Sequence, residues 1–323
     1  NRLRYGAMET VPLVYRYGLA SVRYFSNRPY DRLDAYLPER ISEKFVVEDR
    51  SCFACPHKCL KYTAIKDGPW ENTRAEGPKY ETLCMFGPNC DNHDIAAIVK
   101  ANEICAHHGM DTASTGNVIA FAMECTEKGI LERGELDGIP LEFGSGRAIV
   151  ALTQKIASRE GLGDILAEGV KRAAAAIGRG ADTLAMHVKG LEMASFEPRG
   201  YPAMGLAYAT SNRGACHMGP PFRLDPWWHS KEADSPSRWQ TLGKADVVIA
   251  VQNLYAVLDS LMFCTFSRYG FDGNFYMTFL RAVTGTDLTW QEANTIANRI
   301  YSLERAFNIR EGMTANDDLL PNK

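Results

Sequence analysis

The sequence predicts a mostly α protein: two helical domains with long irregular, site-building loops between the helices. Three observations predict this. Apolar residues recur at helical spacing in several separate segments after Asn92. Two stretches, 51–91 and 187–222, are rich in Gly, Pro and small residues and carry no helical period. Strand-like alternation is scarce.

Residues 1–50 mix apolar and aromatic positions without clear period, and "SNRPYDRL" within them signals a turn. Residues 51–91 read as loop, and their Cys, Gly and Pro content marks a site rather than a core element. A helix is expected across "NHDIAAIVKANEICAHHG", where Ile95, Ile98, Val99 and Ile104 fall near helical spacing and Gly109 ends it. His107 and His108 at its end suit the helix dipole. A second helix follows in "NVIAFAMECTEKG", a third over Arg147–Arg159, and a fourth in "DILAEGVKRAAAAIG", stopped by Gly178. The segment "KADVVIAVQNLYAVLDSLMFC" is long, apolar and expected to be buried. The last helix starts at "LTWQEANTIANRIYSLERAFN", where Thr289 followed by Glu292 is the capping-box pattern. The helical pattern gives way to Gly-rich chain near 187, so domains of 1–187 and 188–323 are expected.

With 323 residues, 46% of them hydrophobic and 23% charged, the chain can bury a substantial core. A net charge of −3 without any Lys/Arg-rich block argues against nucleic acid as a partner. No run of eighteen or more apolar residues occurs, so no membrane span is expected. The first residue is Asn1 rather than Met, and the chain is expected to be a piece of a longer, cytoplasmic protein. Nine Cys, an odd number in a chain of this size, point to a reducing compartment and a metal site rather than a disulfide scaffold.

Three of those thiols stand together in "SCFACPHKC": Cys52, Cys55 and Cys59. Thiolates at i, i+3 and i+7 can converge on one cluster, and iron–sulfur clusters take four soft ligands, often one of them distant in sequence. Zinc stays open as an alternative, because His57 lies inside the loop, and so do unmetallated thiols. Cys90, Cys105 and Cys125 lie in or beside helices, where a lone Cys is usually a small buried hydrophobe. Cys264 follows "LDSLMF" at a helix end, where a fourth ligand could stand.

Five segments together resemble the tungsten-containing aldehyde ferredoxin oxidoreductases: "CFACPHKC", "AEGPKYETL", "HHGMDTASTGNVIAFAMECTEKG", "VKGLEMASFEPRGYPAMGLAYATSNRGACH" and "LDSLMFCTF". The resemblance covers nearly the whole chain. It implies that the chain corresponds to the family's two helical domains, without the family's N-terminal β-rich domain. It implies a tungsten (or molybdenum) bis-pyranopterin beside a 4Fe–4S cluster. The reaction would be oxidation of a small aldehyde to a carboxylate, with electrons passing to ferredoxin or a ferredoxin-like subunit. A homodimer is also implied, although no match to the family's metal-bridged interface is found.

The family's cluster ligands fall on Cys52, Cys55, Cys59 and Cys264. Its two pterin motifs, D-x-x-G-L-(D/C), align with "AHHGMD" and "DSLMFC". In the first, Gly109 and Asp111 match, Met110 stands for Leu, and Ala106 replaces the leading Asp. In the second, Asp259 and Cys264 match while Met262 and Phe263 replace Gly and Leu. Loss of Gly at 262 matters if the backbone there needs positive φ or close approach. The family's proton-handling His aligns with His217, and its Glu with Glu76, with Glu81 close enough to compete. Arg199, Asn212 and Arg213 are candidates for pterin phosphate. Cys84 suggests an added metal ligand, as in the tungsten subunit of class II benzoyl-CoA reductase. That makes reduction of an aromatic acyl-CoA an alternative function. A non-catalytic, cluster-binding piece is an alternative of another class.

Overall fold

The computed structural model describes residues 2–26, 29–218 and 238–323. The chain divides into two compact units, Asn1–Tyr201 with Leu320–Lys323, and Pro202–Leu319. In the first unit, α1 (Arg2–Tyr5), α2 (Thr10–Arg16) and α3 (Pro38–Phe45) precede a small antiparallel sheet of order β1-β2-β3. Its strands are β1 (Val46–Arg50), β2 (Leu60–Ala64) and β3 (Arg74–Glu76). Then come α4 (Tyr80–Phe86), α5 (Ile95–His108), α6 (Thr112–Glu127), α7 (Gly146–Ser158), α8 (Leu162–Leu166) and α9 (Val170–Ile177). A short hairpin, β4 (His187–Val188) with β5 (Leu191–Glu192), follows. The second unit holds α10 (Pro202–Thr210), α11 (Lys244–Ser260), α12 (Gly273–Thr284) and α13 (Trp290–Arg310). The mostly α expectation holds.

Local chemistry sets the helix starts. Asp94 caps α5 by accepting the Ala97 N–H at 3.2 Å, and Ser145 caps α7 through Ala148 at 3.2 Å. At α13 the capping box forms in both directions: Thr289 Oγ1 accepts the Glu292 N–H at 3.2 Å, and Glu292 Oε2 accepts the Thr289 N–H at 2.8 Å. The single helix expected over 164–178 is two, α8 and α9. Between them Glu192 reaches in from β5 and accepts the Val170 N–H at 2.7 Å, capping α9 from outside.

Several elements differ from expectation. The helices α1 to α4, the three-stranded sheet, the β4–β5 hairpin, α10 and α12 all lie where no regular element was read. The break between units also falls later than 187. The hairpin stays with the first unit because Glu192 Oε2 accepts the Ser114 hydroxyl at 2.8 Å and Asn117 Nδ2 donates to the Met193 carbonyl at 2.9 Å. A bridge between Ala20 and Phe196 ties down the chain beyond it.

In the first unit α4 packs on α6, and α5 on α7 and β3. Tyr24, Phe25, Tyr36, Phe86, Phe121 and Phe196 fill the core and are fully buried. Gly116 lets α4 and α6 approach: a Cβ there would stand 2.7 Å from Met85 Cβ and 2.8 Å from the Met85 carbonyl carbon. Gly116→Ala gains about 1 kcal/mol of helix propensity. Overpacking against backbone costs about 1–3 kcal/mol and wins. Chemical denaturation should therefore show a less stable variant; a more stable one would mean the helices do not cross here. In the second unit Val257, Leu258, Tyr276, Met277, Ala293 and Ala297 form the core, with Phe263 and Trp290 packed against it.

Candidate cofactor site

The two helix-end motifs adopt one geometry, each in its own unit. At the end of α5, Gly109 has φ +67° and the next N–H, that of Met110, donates to the Cys105 carbonyl at 2.9 Å. At the end of α11, Met262 has φ +56° and the Phe263 N–H donates to the Leu258 carbonyl at 2.9 Å. Each is a left-handed helix stop closed by a six-to-one hydrogen bond. A Cβ on Gly109 would meet nothing within 4 Å, so that position needs glycine for its φ rather than for space.

Met262 keeps the same φ with a side chain attached. The residue is 91% exposed, while Phe263 turns inward to meet Tyr276 edge-on with centroids 5.1 Å apart. The replacements of Gly by Met and Leu by Phe therefore leave the backbone turn intact. Met262→Gly should raise stability by up to about 1 kcal/mol, since it relieves left-handed strain and loses no packing. A destabilised variant in urea titration would contradict the turn.

Asp111 caps α6 through Oδ1, which accepts the Ser114 N–H at 2.7 Å. Its second oxygen is not used by the cap. Met110, Asp111, Ser114 and Thr115 line a cavity of about 340 Å³ in the first unit, together with Ile156 and Arg159. Asp259 lines a larger cavity, about 730 Å³, in the second unit, between α11 and α13. It is more exposed than its apolar sequence neighbours suggested. Partial desolvation and then the charge of Glu304 raise its carboxyl above the usual range, while Arg213 opposes them. Each cavity thus offers a carboxylate acceptor beside backbone and hydroxyl groups. That donor set fits a polar bicyclic ring such as a pterin.

The cysteine loop is the connection of the β1–β2 hairpin. Arg50 pairs with Leu60 at its neck, directly flanking residues 51–59. Lys61 Nζ, almost wholly buried, binds Asp49 at 2.7 Å and braces the same neck. Inside the loop the Cys55 N–H donates to the Cys52 carbonyl at 3.0 Å, and Ala54 (φ +55°) and Lys58 (φ +47°) turn the chain just ahead of Cys55 and Cys59. Among the described residues no group of three or more His, Cys, Asp or Glu is gathered to hold a metal.

Exposure sorts the nine thiols. Cys52 and Cys264 are exposed and Cys55, Cys59 and Cys216 partly so, whereas Cys84, Cys90, Cys105 and Cys125 are buried. Burial pushes the Cys105 and Cys125 thiols up to about 12. The solvent-reachable set contains all four residues aligned as cluster ligands, and thiols that ligate must deprotonate.

Glu76 ends β3 with its side chain exposed, and its carbonyl accepts Asn102 Nδ2 at 3.0 Å. Glu81 lies in the first turn of α4, and its Oε2 accepts the Ser195 N–H at 2.9 Å, so its carboxylate braces backbone. His217 is half-buried in the turn after α10. Cys84, one turn along α4 from Glu81, is fully buried, and burial, then Glu81, hold its thiol well above the usual range. The sequence reading did not identify Gln252 and Glu304, which line the Asp259 cavity on α11 and α13. Their spacing from Asp259 and Thr289 carries no motif, and only helix packing brings them there.

The chain is helix-rich, has two like helix-end turns, each with a motif carboxylate at a cavity, and keeps five of its nine thiols at least partly open to solvent. The family profile described as "Aldehyde ferredoxin oxidoreductase, domains 2 & 3" matches residues 2–323, and the chain belongs to that family. It is similar to tungsten-containing aldehyde ferredoxin oxidoreductases of Pyrococcus furiosus and Thermococcus kodakarensis, at 35% and 33% identity over 99% of this chain. It spans about half the length of these curated relatives, 52% of each. An aliphatic sulfonate oxidoreductase, WOR-like subunit, of Pyrococcus furiosus is 29% identical over 78% of this chain and 38% of its own. Among solved structures, the active site complex BamBC of benzoyl coenzyme A reductase with 1,5-dienoyl-CoA shares the fold. Its TM-score is 0.73 at 22% identity, covering 94% of this chain and 51% of that one. Among the described residues no helix is long and apolar enough to cross a membrane.

Proposed function

We propose that the chain is the helical part of a tungsten oxidoreductase that converts an aldehyde and water to a carboxylate and passes the electrons to ferredoxin or a ferredoxin-like subunit. The observation that carries this is the pair of motif carboxylates, Asp111 and Asp259, each at a cavity beside a left-handed helix stop. Gly109, Met110 and Asp111 would hold one pterin and Asp259 the other. Cys52, Cys55, Cys59 and Cys264 would hold a 4Fe–4S cluster. The bound tungsten pterin supplies the two-electron step and the cluster an exit for single electrons. Glu76 and His217 would take and return the protons that oxidation with water requires.

Identity of about one third to tungsten enzymes supports tungsten over molybdenum. The acyl-CoA alternative drew on Cys84 as a metal ligand. The burial of that thiol in the core of the first unit lends it no support. Elemental analysis and low-temperature EPR of the reduced, anaerobically purified intact protein test the proposal, followed by viologen-linked oxidation of short and aromatic aldehydes. About four iron per chain with tungsten and aldehyde turnover is expected. Zinc without iron, or benzoyl-CoA turnover without aldehyde turnover, would overturn it.

A further inference from the structure

Ser114 lines the first unit's cavity in the first turn of α6, and its hydroxyl donates to Glu192 Oε2 at 2.8 Å. Glu192 stands on β5, outside the helix-end motif and off the cavity wall, and is only 9% exposed. Its other oxygen, Oε1, accepts the N–H of the wholly buried Val170 at 2.7 Å. The fit is close: a Cβ on Gly169 would lie 2.7 Å from the same oxygen. A carboxylate only accepts, so the one hydroxyl proton of Ser114 goes to Glu192, and Oγ can offer a ligand lone pairs alone. Turning the hydroxyl round would leave a buried carboxylate oxygen without its donor, which is costly. Thr115 Oγ1 likewise donates to the Asp111 carbonyl at 2.7 Å, and the Asp111 oxygen outside the cap is an acceptor. These three side chains therefore present acceptors only. His108 and Arg159 also line the cavity, and the guanidinium is held by Asp164 at 2.7 Å and by Glu168.

We propose that Glu192 is a positioning residue that sets the hydrogen-bond polarity of this cavity through Ser114, so that the cavity selects a ring edge of N–H donors over one carrying a carbonyl. This rests on the pterin reading above and adds what the helix-end motif does not supply, the choice between an amino and an oxo group on the ring. In an aminopyrimidinone ring the exocyclic amino group and the neighbouring ring N–H stand side by side, and both donate. In the dioxo analogue a carbonyl replaces the amino group, and against Ser114 Oγ it would set two acceptors face to face. Glu192→Gln reverses the polarity without changing the shape. The Val170 N–H still requires an acceptor, which keeps the amide oxygen on that side and turns the NH₂ towards Ser114. The amide then donates to Oγ, the hydroxyl proton is released to the cavity, and Ser114 changes from acceptor to donor.

The test uses the full chain, free of cofactor, in fluorescence titrations with two free ligands that differ only in the group on C2. These are pterin-6-carboxylate, which carries the amino group, and lumazine-6-carboxylate, which carries the oxo group. Melting curves check that each variant folds. The wild-type chain should bind the pterin about tenfold more tightly than the lumazine. Glu192→Gln should bring that ratio to about one or below, a reversal that loss of packing alone would not produce. Ser114→Ala should also lose the preference, and the double variant should match Ser114→Ala alone, because Glu192 reaches the ligand only through that hydroxyl. If Glu192→Gln weakens both ligands equally and keeps the ratio, Glu192 is structural and the proposal is overturned while the pterin reading stands. Equal wild-type affinity for the two ligands has the same meaning. Should Glu192→Gln fail to fold, Ser114→Ala decides: a retained ratio overturns the proposal and a lost one supports it. Binding of neither ligand by the wild-type chain overturns the pterin reading and this proposal with it.

Discussion

Replacing Cys55 by serine is expected to take the iron content of the anaerobically purified protein from about four per chain to near zero and to abolish its reduced-state EPR signal. Cys55 sits in the turn that its own N–H closes on the Cys52 carbonyl, and it is partly open to solvent. A serine there keeps that turn and the shape of the loop, so the fold should survive. What it removes is the soft thiolate that iron prefers. Cys105→Ser is the matched control. That thiol is buried on α5 and pushed up to about 12 by desolvation, which makes it a small core group rather than a ligand. The control should lose some stability and keep its iron. Equal iron in the Cys55 variant and the wild type would remove the cluster assignment, and with it the electron route to ferredoxin.

Glu124→Gln should destabilise the first unit by about 3–5 kcal/mol near neutral pH, because it leaves the Lys323 ammonium buried without its counter-charge. Glu124 is nearly buried on α6, and Lys323 reaches it while lying 4.4 Å from the Tyr24 ring centroid. Lys128 stands 3.7 Å from the same carboxylate, and the Arg199 guanidinium meets the Lys323 carbonyl at 3.4 Å. Burial lowers the Lys323 pKa below its ordinary 10.5; Glu124 raises it, and Lys128 and Arg199 lower it further. The unfolded chain then binds more protons than the folded one between the lowered value and 10.5, so stability rises with pH across that window. Removing Glu124 lowers the folded value again and widens the window. The deficit of Glu124→Gln should therefore be largest at neutral pH and shrink as pH approaches about 10. Glu124→Gln with Lys323→Met should recover most of the loss, because no charge is left unpaired. A deficit that does not change with pH, or no recovery in the double variant, would show that the pair is not formed. Urea titrations at two pH values decide it.

Much of this was legible in the residues alone. The period of α5, α6 and α7 and the Thr289–Glu292 box are local: each is decided by contacts within a few residues, and each formed where expected. The cysteine spacing and the two helix-end motifs were readable for the same reason. What escaped was decided at a distance. The sheet that carries the cysteine loop was hidden because β2 buries Lys61 and Thr63, so its inward face is polar and shows no apolar alternation. The helix α12 was hidden by apolar residues all round it; only Tyr276 and Met277 are buried, while Phe275 and Phe279 stay exposed. The break between α8 and α9 depends on Glu192, arriving from 22 residues away. The residues by themselves determined the family, the cysteine set and the motif positions, because those are matters of residue type and short spacing. Tertiary structure alone decided that Met262 takes a glycine's backbone angle. It alone brought Glu304 to the Asp259 cavity, because that requires α11 and α13 to pack on each other.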